Sequence, residues 1–153
     1  MTRERVARGL LWFAVLWWGI SFGGQFFNAM MVVPYFSHQP PALLEEWGRM
    51  RATNDGDFFA IFNASWIFLA TFIAIFLMRT GSRRWAIASA VAAALSFAIA
   101  FRMDPMIARL LSPGQGGRTA AESVVQLRTW THMNFLRLVV ELLGFIFGIK
   151  AAS

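Results

Sequence analysis

Trp130 to Glu141 sets an arginine and a glutamate inside an otherwise apolar run. At about 100° per helical residue, Trp130, Asn134, Arg137, Glu141, Gly144 and Gly148 fall within an arc of about 80°. A guanidinium held in a dry site stabilises negative charge that develops beside it, and a carboxylate one turn away fixes its charge state. Arg137, Glu141 and Asn134 are therefore the candidate catalytic residues. Earlier in the chain Ser21, Gly24, Gln25 and Asn28 fall within about 100° of one another on a second helix, a second polar face. Gln25, Asn28, Asn63 and Trp130 are the candidate substrate-binding residues.

Lipid solubility bounds what such a helix can do. Met133 to Ile149 holds 11 Leu, Ile, Val or Phe residues, each contributing roughly −0.3 to −0.6 kcal/mol to insertion. One intramembrane Arg costs roughly +2.5 to +3.5 kcal/mol, with the acidic residue comparable. This helix is marginal alone, so its polar stripe is expected to face protein or trapped water.

The elements that must position the stripe follow from composition. The chain is 58% hydrophobic, with 16 Phe, 7 Trp and a mean hydropathy of +0.54. That is more apolar surface than the core of a soluble domain of 153 residues would bury. The expectation is an all-α, single-domain integral membrane four-helix bundle. Its spans are at about residues 10–33, 58–78, 85–103 and 130–149, with a short interfacial helix in the first external loop. Pro34 is read as ending the first span, and Arg102 to Pro105 the third. Gly19 and Gly23 are read as close-approach positions on the first helix. Asn63, Trp66, Ala70 and Ala74 are read as one side of the second, and Asn54 to Asp57 as a turn capping it. The third is lined with small side chains (Ala86, Ser89, Ala90, Ala93, Ala94, Ala100). The interfacial helix, Ala42 to Arg51, is expected to anchor through Leu43, Leu44 and Trp47. Met106 to Leu111 is read as a short separate helix, and Thr119 to Arg128 as a lead-in to the fourth span.

Arg3, Arg5, Arg8, Arg79, Arg83, Arg84 and Lys150 flank the spans on one side, which puts both termini in the cytoplasm at the plasma membrane. The +6 charge is then topological and argues against a nucleic-acid partner. In this orientation the polar residues share the outer half of the bundle, which implies a polar cavity closed below by apolar packing.

The absence of Cys excludes disulfide and thiolate chemistry. His38 and His132 lack metal-ligand spacing, and His132 falls on the opposite side from the arginine stripe, so neither a metal nor another cofactor is assigned. Phosphate-binding glycine, serine-elbow and zinc-protease motifs are missing.

Four stretches resemble the anthrone oxygenase-like proteins, a group of small four-helix membrane proteins. They are "FFNAMMVVPYF" with Pro34, Phe58-Phe59, "RMDPMIARLL" with Pro105, and "WTHMNFLR" with Trp130, Asn134 and Arg137. The chain departs from that pattern at Asp104-Pro105-Met106-Ile107-Ala108, where Pro-Ile-Asn is expected. The resemblance implies insertion of oxygen into an activated ring carbon of a tricyclic anthrone, giving the quinone, without a recognised cofactor. Two other readings stay open. One is a non-enzymatic membrane protein that binds lipid or an apolar small molecule, serves as a transport accessory, or assembles with its own copies or a membrane partner. The other is a polar set that only knits helices together.

Overall fold

The computed structural model of the chain describes residues 3–38, 42–50, 64–78, 81–111 and 119–153. Every regular element among them is helical. Helix α1 (Arg3–Phe27) passes through a π-helical turn (Asn28–Val32) into α2 (Val33–Ser37), making one continuous rod. Then come α3 (Ala42–Met50), α4 (Ala64–Leu77), α5 (Arg83–Leu111) and α6 (Ala120–Ala152). A capping box starts α6: Thr119 Oγ1 accepts from the Glu122 backbone N–H at 3.3 Å, and Glu122 Oε2 accepts from the Thr119 N–H at 2.9 Å. Arg3–Ser37 and Arg83–Leu111 are long and apolar enough to cross a membrane.

Three of these boundaries correct the sequence reading, and each has a packing reason. Pro34 does not stop the first helix. Its ring would collide with the carbonyl of Met30 in a regular α-helix, and the π turn widens the backbone there, with the Val33 N–H reaching the Asn28 carbonyl five residues back. Pro105 likewise lies inside α5. The prolyl ring faces outward while Met103, Ile107, Leu110 and Leu111 bury on the other side, so packing carries the helix through. Thr119 to Arg128 is no separate lead-in, because α6 is a single helix from its capping box onward.

The long helices close a ring in which α1 packs on α4 and α6, and α5 packs on α4 and α6. Helices α1 and α6 run antiparallel in a fixed register. Gln25 meets Arg137, Trp18 meets Gly144 two turns on, and Val15 meets Gly148 one turn beyond that. That register sets Ser21 level with Glu141 and Asn28 level with Asn134. A Cβ on Gly144 would stand 2.5 Å from Trp18 Cζ2, so glycine is required where the indole crosses α6. Gly23 has no such role, since nothing lies within 4 Å of a Cβ there, whereas Gly19 sits against Phe145.

The small-residue lining of α5 is Ala86, Ser89, Ala90, Ala92, Ala93 and Ser96, whereas Ala94 faces outward. On α4 the buried side is Ile67, Ala70, Thr71 and Ala74, and Trp66 is half exposed rather than in line with them. The anchors assigned to an interfacial helix turn inward as well. Leu44 and Trp47 of α3 are buried with Phe36, Met103, Ile107, Leu111 and Trp130, and α3 docks on α5 so closely that a Cβ on Gly48 would overlap the Leu111 carbonyl.

The outside of the ring is apolar. Trp12, Leu16 and Phe27 on α1, Phe72 and Phe76 on α4, Val91 and Phe101 on α5, and Phe135 and Leu136 on α6 are all exposed. Charge concentrates at the ends. Ala7, Met78, Ala86, Ala151 and Ala152 pack together at one end. There, among the described residues, Arg3, Arg5, Arg8, Arg83, Arg84 and Lys150 face a single carboxylate, Glu4. At the α3 end Arg49, Arg102, Arg109 and Arg128 are balanced by Glu45, Glu46, Asp104 and Glu122.

Candidate functional site

Three helices bring one polar residue each to Arg137. It leaves α6 part-buried, with 14% of its side chain exposed, and its Nε donates to Glu141 Oε1 at 2.9 Å and to Ser96 Oγ of α5 at 3.3 Å. From α1, the Gln25 amide oxygen, turned toward the guanidinium, accepts from Nη1 at 3.1 Å and Nη2 at 3.3 Å. Ser96 Oγ in turn donates to Glu141 Oε1 at 2.8 Å. The i, i+4 spacing brings carboxylate and guanidinium together, and the small side chains of α5 let α6 approach closely enough for a serine hydroxyl to reach both.

Glu141 is wholly buried, as is Ser96, and Asn134, Gln25 and Ser21 are nearly so. All the polarity of this carboxylate is spent on one oxygen. Oε1 takes both donors, while Oε2 is buried and has no hydrogen-bond partner among the described residues. Asn28 Oδ1, in the π turn, is also buried without a partner. Each such atom forgoes the hydration it had in the unfolded chain, a cost of about 1–3 kcal/mol. π turns are common where a helix serves a site.

One turn further along α6 a second relay crosses the same three helices. Trp18 Nε1 donates to Ser89 Oγ at 3.1 Å, and Ser89 Oγ donates to the Gly144 carbonyl at 3.0 Å. This relay closes the polar region on the side of the termini. Beyond it Ala7, Leu11, Val15 and Ala74 pack without polar groups.

The sequence-derived residues divide as follows. Arg137, Glu141 and Gln25 are in direct contact. Asn134 and Asn28 are level with each other on facing helices, one turn away. Trp130 stands apart in an apolar cap, edge-on to Trp47 with centroids 5.6 Å apart, while Trp47 stacks on Phe36 at 5.7 Å. Asn63 lies outside the described residues, as do Asn54 to Asp57, Phe58-Phe59 and Arg79. His38 and His132 are both exposed. Among the described residues no group of three His, Asp or Glu side chains could hold a metal ion. Ser96, Ser89 and Trp18 were missed. Ser89 and Ser96, seven residues apart, share a face of α5, the one trace the sequence carries of their common role.

Comparison of the chain with known protein families, curated proteins and solved structures gives no match.

Proposed function

We propose that the chain is a four-helix integral membrane protein of the plasma membrane with cytoplasmic termini. Its polar core binds the oxygen-bearing edge of an apolar, ring-bearing molecule in the outer half of the bilayer. The membrane reading is supported by the apolar outer face of every long helix and by the charge asymmetry of the two ends. Between Arg128 and Lys150, a rise of about 33 Å, α6 carries only the Arg137–Glu141 pair as formal charge.

One observation carries the site reading: Glu141 buries an entire carboxylate and leaves Oε2, beside a guanidinium, without a partner among the described residues. Helix knitting needs only Oε1. An unpaired carboxylate oxygen in a dry site is a proton acceptor, and the adjacent guanidinium stabilises the anion that proton loss creates. The chemistry implied by the resemblance uses both. The activated ring carbon of an anthrone gives up a proton, Arg137 holds the resulting enolate oxygen, dioxygen oxidises the carbanion through a hydroperoxide, and the quinone and water leave. Asn28 and Asn134 orient the ring oxygen.

A second reading, a binding or assembly protein, is favoured by a different fact. Gln25, Ser96 and Glu141 already engage Arg137 as a structural pin would. Oxygen uptake by the purified protein with a tricyclic hydroxy-aromatic separates the two. On the enzyme reading, uptake falls by about a hundredfold or more in Arg137→Lys and Glu141→Gln. If uptake is absent in the wild type and a protein partner co-purifies, the assembly reading replaces it. If uptake is unchanged in Arg137→Lys and Arg137→Ala, that arginine has no part in the reaction.

A further inference from the structure

At the end of the ring where the termini gather, Gly81, Ser82, Arg84, Trp85 and Lys150 line an open hollow of about 630 Å³. The Trp85 indole organises its two cations. Lys150 Nζ lies 4.6 Å from the ring centroid and the Arg84 guanidinium carbon 5.3 Å. The indole is itself held by Phe147, stacked at 5.7 Å with 27° between the planes. Neither cation forms an ion pair among the described residues. Two like charges drawn to one ring repel each other, and cation–π attraction to the shared indole offsets part of that. The result is a concave, positively charged pocket with no counter-charge against either cation among the described residues.

An anion with several oxygens suits this arrangement better than a carboxylate, since guanidinium and ammonium approach from opposite elements, α5 and α6. The hollow also exceeds a bare phosphate in volume and is flanked by an aromatic ring of the kind that sits at headgroup level. We propose that this pocket binds a phosphate group, and that its natural source is the headgroup of an anionic lipid. The lipid source rests on the membrane reading above; the phosphate chemistry does not. Generic flanking charge would act equally through Arg3 and Arg5, exposed cations near the start of α1 that line no such hollow.

The test is native mass spectrometry of the full chain with phosphatidylglycerol or phosphatidylcholine, alongside titration with inorganic phosphate. Wild type is expected to retain phosphatidylglycerol over phosphatidylcholine by about tenfold or more. Arg84→Gln/Lys150→Gln is expected to abolish that preference, while Arg3→Gln/Arg5→Gln, which removes the same charge, keeps it. Both positions of each pair are exposed, so unchanged helical circular dichroism should accompany every variant. Equal loss in the two double variants, or no wild-type preference, overturns the pocket. Displacement of the lipid by millimolar inorganic phosphate assigns the site to free phosphate instead. Phosphate binding that depends on Arg84 and Lys150, by a protein that stays soluble without detergent, keeps the pocket and removes the membrane reading.

Discussion

Arg137 and Glu141 neutralise each other where the carboxylate is wholly buried and the guanidinium mostly so, and removing one strands the other. Breaking a buried pair costs about 3–5 kcal/mol, because the surviving charge stays without compensation. Arg137→Gln and Glu141→Gln are each expected to lower the unfolding midpoint in detergent strongly, and the double variant to recover much of the loss. A double-mutant cycle of thermal unfolding measures this, and additive losses would mean that the two side chains do not couple. Ser96→Ala removes one hydroxyl donor to the pair and should cost about 1 kcal/mol in the same assay. The pair itself was legible in the sequence, because i, i+4 spacing puts it on one face of any helix. Its partners were not. Ser96 is one small residue in an alanine-rich helix, and nothing local points it at a residue 45 positions later. Trp130 shares a face with the arginine on a helical wheel, but angular position says nothing of depth along the axis, and its ring lies edge-on to Trp47 in the Phe36–Trp47 stack.

At the scale of elements, the crossing of α1 and α6 depends on the indole of Trp18 lying against Gly144. Gly144→Ala should destabilise the fold by about 1–3 kcal/mol, since the ring and its bond to Ser89 must shift. Gly23→Ala, with open space around it, should be neutral or slightly stabilising. Parallel melting curves check both, and equal effects would remove the close crossing as the explanation. Helix existence was readable from apolar run length, and the ends were not. Local propensity reads both prolines as terminators, because it sees a missing N–H and a clash. It does not see the π turn that absorbs one, or the buried Met103, Ile107 and Leu110 that carry the chain past the other. The same blindness put Leu44 and Trp47 at a lipid surface: an amphipathic face shows that a helix docks, not whether it docks on lipid or on protein.

For the whole molecule, the proposed topology makes a prediction that a chain without cysteine is well suited to test. Single substitutions Ser153→Cys and Glu45→Cys lie at opposite ends of the ring, and both positions are exposed. In intact cells a membrane-impermeant thiol reagent should label the second and spare the first. The reverse pattern would invert the orientation, and labelling of both would remove the membrane assignment. Under the proposed membrane topology, the three-helix grip on Arg137 also bears on biogenesis. Helix α6 by itself carries a marginal insertion balance, and its arginine acquires Ser96 and Gln25 only when α5 and α1 are already alongside. A truncated chain consisting of α6 alone should therefore slip back out of the translocation machinery. The complete protein should release its last segment sideways into lipid only after docking, so that the polar contacts act as an assembly checkpoint.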